Sequence, residues 1–281
     1  MTPQEKKQLQ ITACKVRMGV IESTHAAKAG HPGGSLSAAD LFTYLYFKEM
    51  NIDPANPKWE DRDRFVLSKG HTAPGLYSAL AQRGFFPVED LLTLRQIGSY
   101  LQGHPNMNTV PGVDMSTGSL GQGISCAVGM ALGLKHQGKS PRVYTLLGDG
   151  EIQEGQVWEA CMAAAHYKLD NLVVIVDNNG LQIDGSIADV MSPYPIDDKL
   201  LAFGFHVETA DAHDFDALEE VFAKARTVKG KPTAIVMKSI KGKGVSYMEN
   251  NAGWHGKAPG DAEKEVAMNE LKAILAELEG K

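Results

Sequence analysis

Cysteine is scarce, three in 281 residues, and Cys14, Cys126 and Cys161 are odd in number and far apart. That excludes a disulfide framework and predicts three reduced thiols in helices. No apolar run approaches the ~20 residues that span a bilayer; a long one here is only 172–176. The N-terminus MTPQEKKQLQ lacks the apolar core of a signal peptide. Basic residues number 28 against 34 acidic, for a formal charge of −6, with no Lys/Arg block or stripe. Nucleic acid and membrane are therefore not expected partners. No internal repeat and no domain boundary is evident. What these absences leave is a cytoplasmic globular protein, and 43% apolar content supports a substantial core.

The first part of the chain reads as helix and loop. Leu9, Ala13, Val16, Val20 and Ile21 recur at helical spacing, predicting a helix over 4–29 stopped by Gly30. HPGGS (31–35) reads as a loop, a second apolar helix runs from about 37 to 50, and 51–64 is a polar connection. FVLS (65–68) is a short strand candidate before KGHTAPG and a helix through Leu80. Segment 98–123 is too rich in glycine and proline for a regular element, and a small-residue helix follows to His136. Strands then alternate with helices: RVYTLL (142–147), a helix over 153–166, NLVVIV (171–176), the helix DALEEVFAKART and the strand TAIVMK (233–238). That alternation predicts an α/β fold, a parallel sheet covered by helices on both faces. Residues 261–278 read as a charged, amphipathic surface helix.

Parallel α/β sheets collect ligands at the carboxyl ends of their strands. Here one strand ends in Gly148-Asp149-Gly150 and the next in Asp177-Asn178-Asn179. A glycine-rich turn leading into a helix normally suits an anion, yet LLGDGEIQEG carries Asp149, Glu151 and Glu154. A divalent cation resolves the conflict of sign. Asp149 and Asn179 lie thirty residues apart, one strand–helix–strand unit, and offer hard oxygen ligands of the kind that hold Mg²⁺ together with phosphate oxygens. Either motif alone is an ordinary turn; the pair at this spacing predicts a metal site.

GDG with NN thirty residues later resembles the thiamine diphosphate (ThDP) motif. AGHPGGSLSAADL, DRDRFVLSKGH, GHP (103–105), TGSLGQGISCAVGMA and GDGEIQEGQVWEA, in this order, resemble the N-terminal half of transketolase over roughly residues 10–260. The resemblance implies the ThDP-binding fold, with residues 1–260 as the diphosphate- and metal-binding domain and 261–281 as a helix of the same domain. It implies Asp149, Asn179 and the Leu181 carbonyl as ligands of Mg²⁺, with Ca²⁺ or another divalent ion as a substitute. Gly150 then approaches the diphosphate, and Gly118, Ser119 and Leu120 meet the aminopyrimidine. Glu154 and Glu159 match glutamates at a subunit interface.

Four histidines sit in glycine-flanked loops, His31, His71, His104 and His255, and each resembles a transketolase active-site position. His71 and His255 are implied near the diphosphate, His31 and His104 near substrate hydroxyls; imidazole exchanges protons near neutrality. His25, His136, His166, His206 and His213 match no motif and read as structural or surface residues. The implied reaction moves a two-carbon glycolaldehyde unit from a ketose phosphate to an aldose phosphate, with ThDP as electron sink. No second α/β domain is recognisable after Gly260, so the expected enzyme is split. A separate pyrimidine-domain chain is its partner, an α2β2 heterotetramer its assembly, and one chain alone is inactive. Alternatives are a specialised transketolase for an unusual sugar phosphate, a 2-oxo acid dehydrogenase E1 alpha subunit, and a non-catalytic ThDP-binding protein.

Overall fold

The apolar runs around RVYTLL, NLVVIV and TAIVMK form the middle of a five-stranded, all-parallel sheet. The structure, a computed structural model, describes residues 1–280. In chain order the helices and strands begin with α1 (Pro3–Ala27), α2 (Pro32–Ser37), α3 (Ala39–Tyr44), β1 (Arg64–Leu67), α4 (Ala73–Arg83) and α5 (Gln122–His136). There follow β2 (Val143–Gly148), α6 (Gly155–His166), β3 (Leu172–Asn178) and the hairpin β4 (Leu181–Gln182) and β5 (Gly185–Ser186). The chain continues through α7 (Ile187–Met191), α8 (Ile196–Ala202), β6 (His206–Asp211), α9 (Phe215–Thr227), β7 (Thr233–Lys238) and α10 (Asp261–Glu279). Sheet order is β1-β2-β3-β7-β6, so after β3 the chain crosses to the far edge and returns through α9 to fill the gap.

Continuous apolar strands are what a sheet buried on both faces requires. Tyr144, Leu146, Val173, Ile175, Ile235 and Met237 face one core with residues of α1, α3, α4 and α9. Val143, Leu147, Val174, Val176, Ala234 and Val236 face the other, against α5, α6 and α8. Each such Val, Leu, Ile or Met side chain contributes about 1.5–3 kcal/mol when fully buried. A third core joins α10 to α1 through Cys14, Val20, Ile21, Ala267, Met268 and Leu271, and the Cys14 thiol donates to the Leu271 carbonyl at 3.2 Å. All three cysteines are free and helical. No helix among the described residues is long and apolar enough to cross a membrane.

Several element boundaries differ from the sequence pattern. The first helix ends at Ala27, and Lys28 takes the left-handed cap that Gly30 was expected to mark. HPGGS is helical from Pro32, which sits at N1, where a missing N–H costs no hydrogen bond. Packing overrides the poor propensity of its glycines: a Cβ on Gly33 would stand 2.8 Å from the Trp254 carbonyl. The helix expected over 37–50 breaks at Ala38 and finishes as a π-helical turn, Leu45–Glu49. Helix α6 begins two residues later than expected, after a 3₁₀ turn at Glu151–Gln153. Strand β6 was not apparent because it is an edge strand of HVETAD, with only Ala210 buried.

Candidate active site

Because all five strands are parallel, the loops after β1, β2, β3 and β7 open on one edge of the sheet. They deliver Lys69 and His71, Asp149 and Gly150, Asn179 and Leu181, and Lys241 to a single cavity of about 380 Å³. Gly148 pairs in register with Asp177 across β2 and β3, which sets the two strand ends level. Asp149 accepts hydrogen bonds from Gly150 N–H at 2.9 Å and Gly180 N–H at 2.6 Å, and so lies beside the Asn179 loop. The Asn179 amide is held at both ends: Nδ2 donates to Asp177 at 3.3 Å, and Oδ1 accepts from Leu181 N–H at 3.1 Å.

The cavity needs charges of both signs. Asp149 is 2% exposed; burial, then the neighbouring Asp177 carboxylate, raises its carboxyl to about 6. Lys241 is equally buried, makes no ion pair among the described residues, and donates to the Leu181 carbonyl at 3.2 Å and to His255 Nδ1 at 2.8 Å. Burial, then the Lys69 ammonium, lowers it to about 8. Lys69 differs because it has a partner, the fully buried Asp177, which also accepts from Ser37 Oγ at 2.6 Å and from Ser239 Oγ. Burial alone would raise Asp177; the Lys69 charge outweighs it and holds the carboxyl below its ordinary range. A buried charge without a counterion is costly. A divalent ion at Asp149 with an anion at Lys241 satisfies both groups, and Asp149, Asn179 Oδ1 and the Leu181 carbonyl form an oxygen donor set suited to Mg²⁺. The residues present therefore fit a metal–diphosphate pair.

Three of the four loop histidines form one cluster. Ring centroids are 5.1 Å apart for His31 and His71, 5.4 Å for His31 and His255, and 5.2 Å for His71 and His255. Burial is the largest cause lowering each, reinforced by nearby cations: His31 to about 4, His255 to about 3, and His71 well below its ordinary value. All three are neutral at pH 7, and the Lys241 hydrogen bond to Nδ1 leaves the His255 proton on Nε2. His31 Nδ1 is buried without a protein partner, as is Gln182 Nε2, and both residues line the cavity, which fits a polar ligand there.

Of the residues singled out in the sequence, His31, His71, Gly118, Leu120, Asp149, Gly150, Glu154, Asn179, Leu181 and His255 line the cavity. His104, Ser119 and Glu159 do not. His104 packs beside Gly118, where a Cβ would come within 3.4 Å of its ring. Glu154 and Glu159 are exposed, the first as the N-cap of α6 and the second within that helix. Sequence reasoning missed Lys69, Asp177 and Lys241 as a charge system, although Lys241 follows the end of a strand like the residues it did find. It also left Glu151 without a role. Glu151 is buried and accepts from Ser68 Oγ, Gly121 N–H at 3.0 Å and Gly148 N–H at 3.1 Å, tying the β1 and β2 ends to the turn before α5.

Sheet, crevice and charge pattern together define an α/β domain with a ligand cavity at its strand ends, lined by charged side chains of both signs. The profile of the family described as "Transketolase, thiamine diphosphate binding domain" matches residues 8–273. The chain is 44% identical over 271 residues to the 6-deoxy-6-sulfo-D-fructose transketolase subunit SqwG of Clostridium sp. (strain MSTE9), covering 96% of both. It is 42% identical to an apulose-4-phosphate transketolase subunit of Phocaeicola vulgatus, again over 96% of both. The structure superimposes on the transketolase of Campylobacter jejuni with a TM-score of 0.89 at 31% identity, covering 99% of this chain and 46% of that one. The chain thus spans about half the length of that full transketolase. It belongs to the transketolase family, in its thiamine diphosphate-binding domain.

Proposed function

We propose that this chain is the diphosphate-binding subunit of a split, ThDP-dependent transketolase of the cytoplasm. With a separate pyrimidine-domain subunit it moves a two-carbon glycolaldehyde unit from a ketose phosphate to an aldose phosphate. The observation that carries this reading is the pairing of an unneutralised buried acid, Asp149, with an unneutralised buried ammonium, Lys241, in one strand-end cavity. Similarity to two transketolase subunits of this chain's own length supports the split form.

In this reading Asp149, Asn179 and the Leu181 carbonyl hold Mg²⁺. Gly150 lets the diphosphate approach the backbone, and Lys241, His71 and His255 meet its oxygens. ThDP, when bound, supplies the electron sink for cleaving the ketose carbon–carbon bond. The backbone at Gly118, Ser119 and Leu120 faces the aminopyrimidine. His31 and His104 orient substrate hydroxyls, and the neutral imidazoles of His31 and His255 donate or accept protons as those hydroxyls react. Residues 1–260 and the helix packed on α1 act as one domain. Leu120 and Ile183 expose apolar side chains at the cavity and Met191 does so in an adjoining pocket that shares Gln153, a surface suited to the pyrimidine-domain subunit, with Glu154 and Glu159 at the interface of an α2β2 assembly.

The test is a coupled ketol-transfer assay on this chain, its candidate partner and the mixture, with and without ThDP and Mg²⁺. Turnover is expected only from the complete mixture. Full transfer by the homogeneous chain alone would remove the split assignment, and none with any pyrimidine-domain chain would favour a non-catalytic binding protein. The two subunits of similar length are named for 6-deoxy-6-sulfo-D-fructose and apulose-4-phosphate. That observation favours a second substrate reading, an unusual sugar, so both compounds belong in the assay beside common ketose phosphates.

A further inference from the structure

Lys241 is carried by the loop after β7, and that loop is held by a partly buried network outside the cavity. Asp40 on α3 is 5% exposed and receives both terminal nitrogens of Arg17 from α1, with Nη1 at 3.1 Å. The same carboxylate accepts from His213 Nδ1 at 2.7 Å, just after β6. On its other side His213 Nε2 accepts the Ile240 backbone N–H at 2.9 Å. A backbone N–H can only donate, so Nε2 carries no proton and the ring is the neutral Nδ1–H tautomer. Arg17 adds a second hold, with Nε donating to the Lys243 carbonyl at 3.0 Å. The network therefore grips the residue before Lys241 and the residue two after it.

The opposite side of the loop is equally confined. Gly242 N–H donates to the Gly33 carbonyl at 2.9 Å, and a Cβ on Gly33 would meet Lys241 Cγ at 3.3 Å. Lys241 is thus pressed between α2 and the Asp40–His213 pair, its ammonium directed to the Leu181 carbonyl and His255. A lysine side chain has four rotatable bonds and aims a charge only when its backbone is fixed. Second-layer hydrogen bonds commonly supply that fixation in ligand sites.

The geometry points to His213 as a positioning residue: oriented by Asp40, it fixes the Ile240 amide so that Lys241 is presented to the diphosphate. This rests on the diphosphate site assigned above and deepens it. Nothing in the sequence around His213 marked it, because the partners of its ring, Asp40 and Ile240, come from two distant segments.

The test is calorimetric binding of magnesium pyrophosphate to the purified chain, with thermal unfolding measured alongside. His213→Leu should weaken binding about tenfold, the scale set by losing one buried hydrogen bond. His213→Gln, whose amide can donate to Asp40 and accept from Ile240, should bind as the wild type does. A cycle with Lys241→Met separates positioning from a general loss of stability. His213→Leu should cost no further affinity once Lys241 is methionine. Equal losses in both backgrounds, or wild-type affinity in His213→Leu, would overturn the inference and leave the diphosphate site standing. Failure of the wild-type chain to bind magnesium pyrophosphate would overturn the diphosphate site and this inference with it. If the leucine variant does not fold, His213→Asn replaces it, since its shorter amide cannot span Asp40 and Ile240, and the same outcomes decide.

Discussion

Asp149 carries the sharpest prediction at the scale of a single residue. Burial and Asp177 already press its carboxyl toward protonation, so Asp149→Ala should leave folding nearly intact while abolishing Mg²⁺-dependent ThDP binding. Asn179→Ala should weaken binding in the same metal-dependent way. If both side chains serve one ion, the double variant should lose less than the sum of the singles. Titration calorimetry at several Mg²⁺ concentrations measures this, and independent, additive losses would argue against a shared ion. Glu151 belongs to a different kind of chemistry. Its three accepted hydrogen bonds are structural, and glutamine would bring an NH₂ against backbone N–H groups. Glu151→Gln should cost about 1–3 kcal/mol in urea unfolding, the range for an unsatisfied buried polar group.

Among elements, the contact between α5 and the end of β1 decides how the cavity floor is built. Gly123 lies in the first turn of α5, and a Cβ there would stand 2.6 Å from the Ser68 Cα, which is backbone and cannot swing aside. Gly123→Ala should therefore destabilise by about 1–3 kcal/mol through overpacking, and it should weaken ThDP binding because Lys69 follows Ser68. A urea midpoint equal to the wild type would mean that α5 can withdraw freely. The central strands were legible in the sequence because burial on both faces writes a continuous apolar run. Strand β6 was not, since an edge position demands no such run. Helix α2 was hidden for the opposite reason: its glycines and proline read as loop, and only close packing against Trp254 and Thr72 makes them helical.

At the scale of the whole molecule, the histidine cluster ties stability to pH. His31 is lowered to about 4 and His255 to about 3, with His71 also depressed; in the unfolded chain each titrates near its ordinary ~6.5. Below that value the unfolded chain binds protons that the folded chain refuses, so stability should fall as pH drops from about 6.5 toward 4. Urea midpoints between about pH 7 and pH 5 measure the slope, which should be shallower in His31→Asn and His255→Asn. A slope unchanged in both variants would assign the acid sensitivity elsewhere. Ordinary carboxylates titrate below that interval; Asp149, raised to about 6, acts in the opposite sense, because the folded chain takes up its proton first, and it offsets part of the slope.

Local sequence alone determined the alternation of strands and helices, the strand-end acid and amide, and the glycine-flanked histidine loops. These are short-range signals, carried by periodicity and by residue types within a few positions of one another. Tertiary structure decided the rest. It set the crossover that places β7 beside β3 and so delivers Lys241 to the cavity, and it paired Lys69 with Asp177, leaving Lys241 uncompensated. It also brought the rings of His31, His71 and His255 together in one cluster that the His104 ring does not join. The physical reason is that charge compensation and desolvation depend on which groups meet across the fold. Lys69 and Asp177 are 108 residues apart in sequence and in direct contact in space.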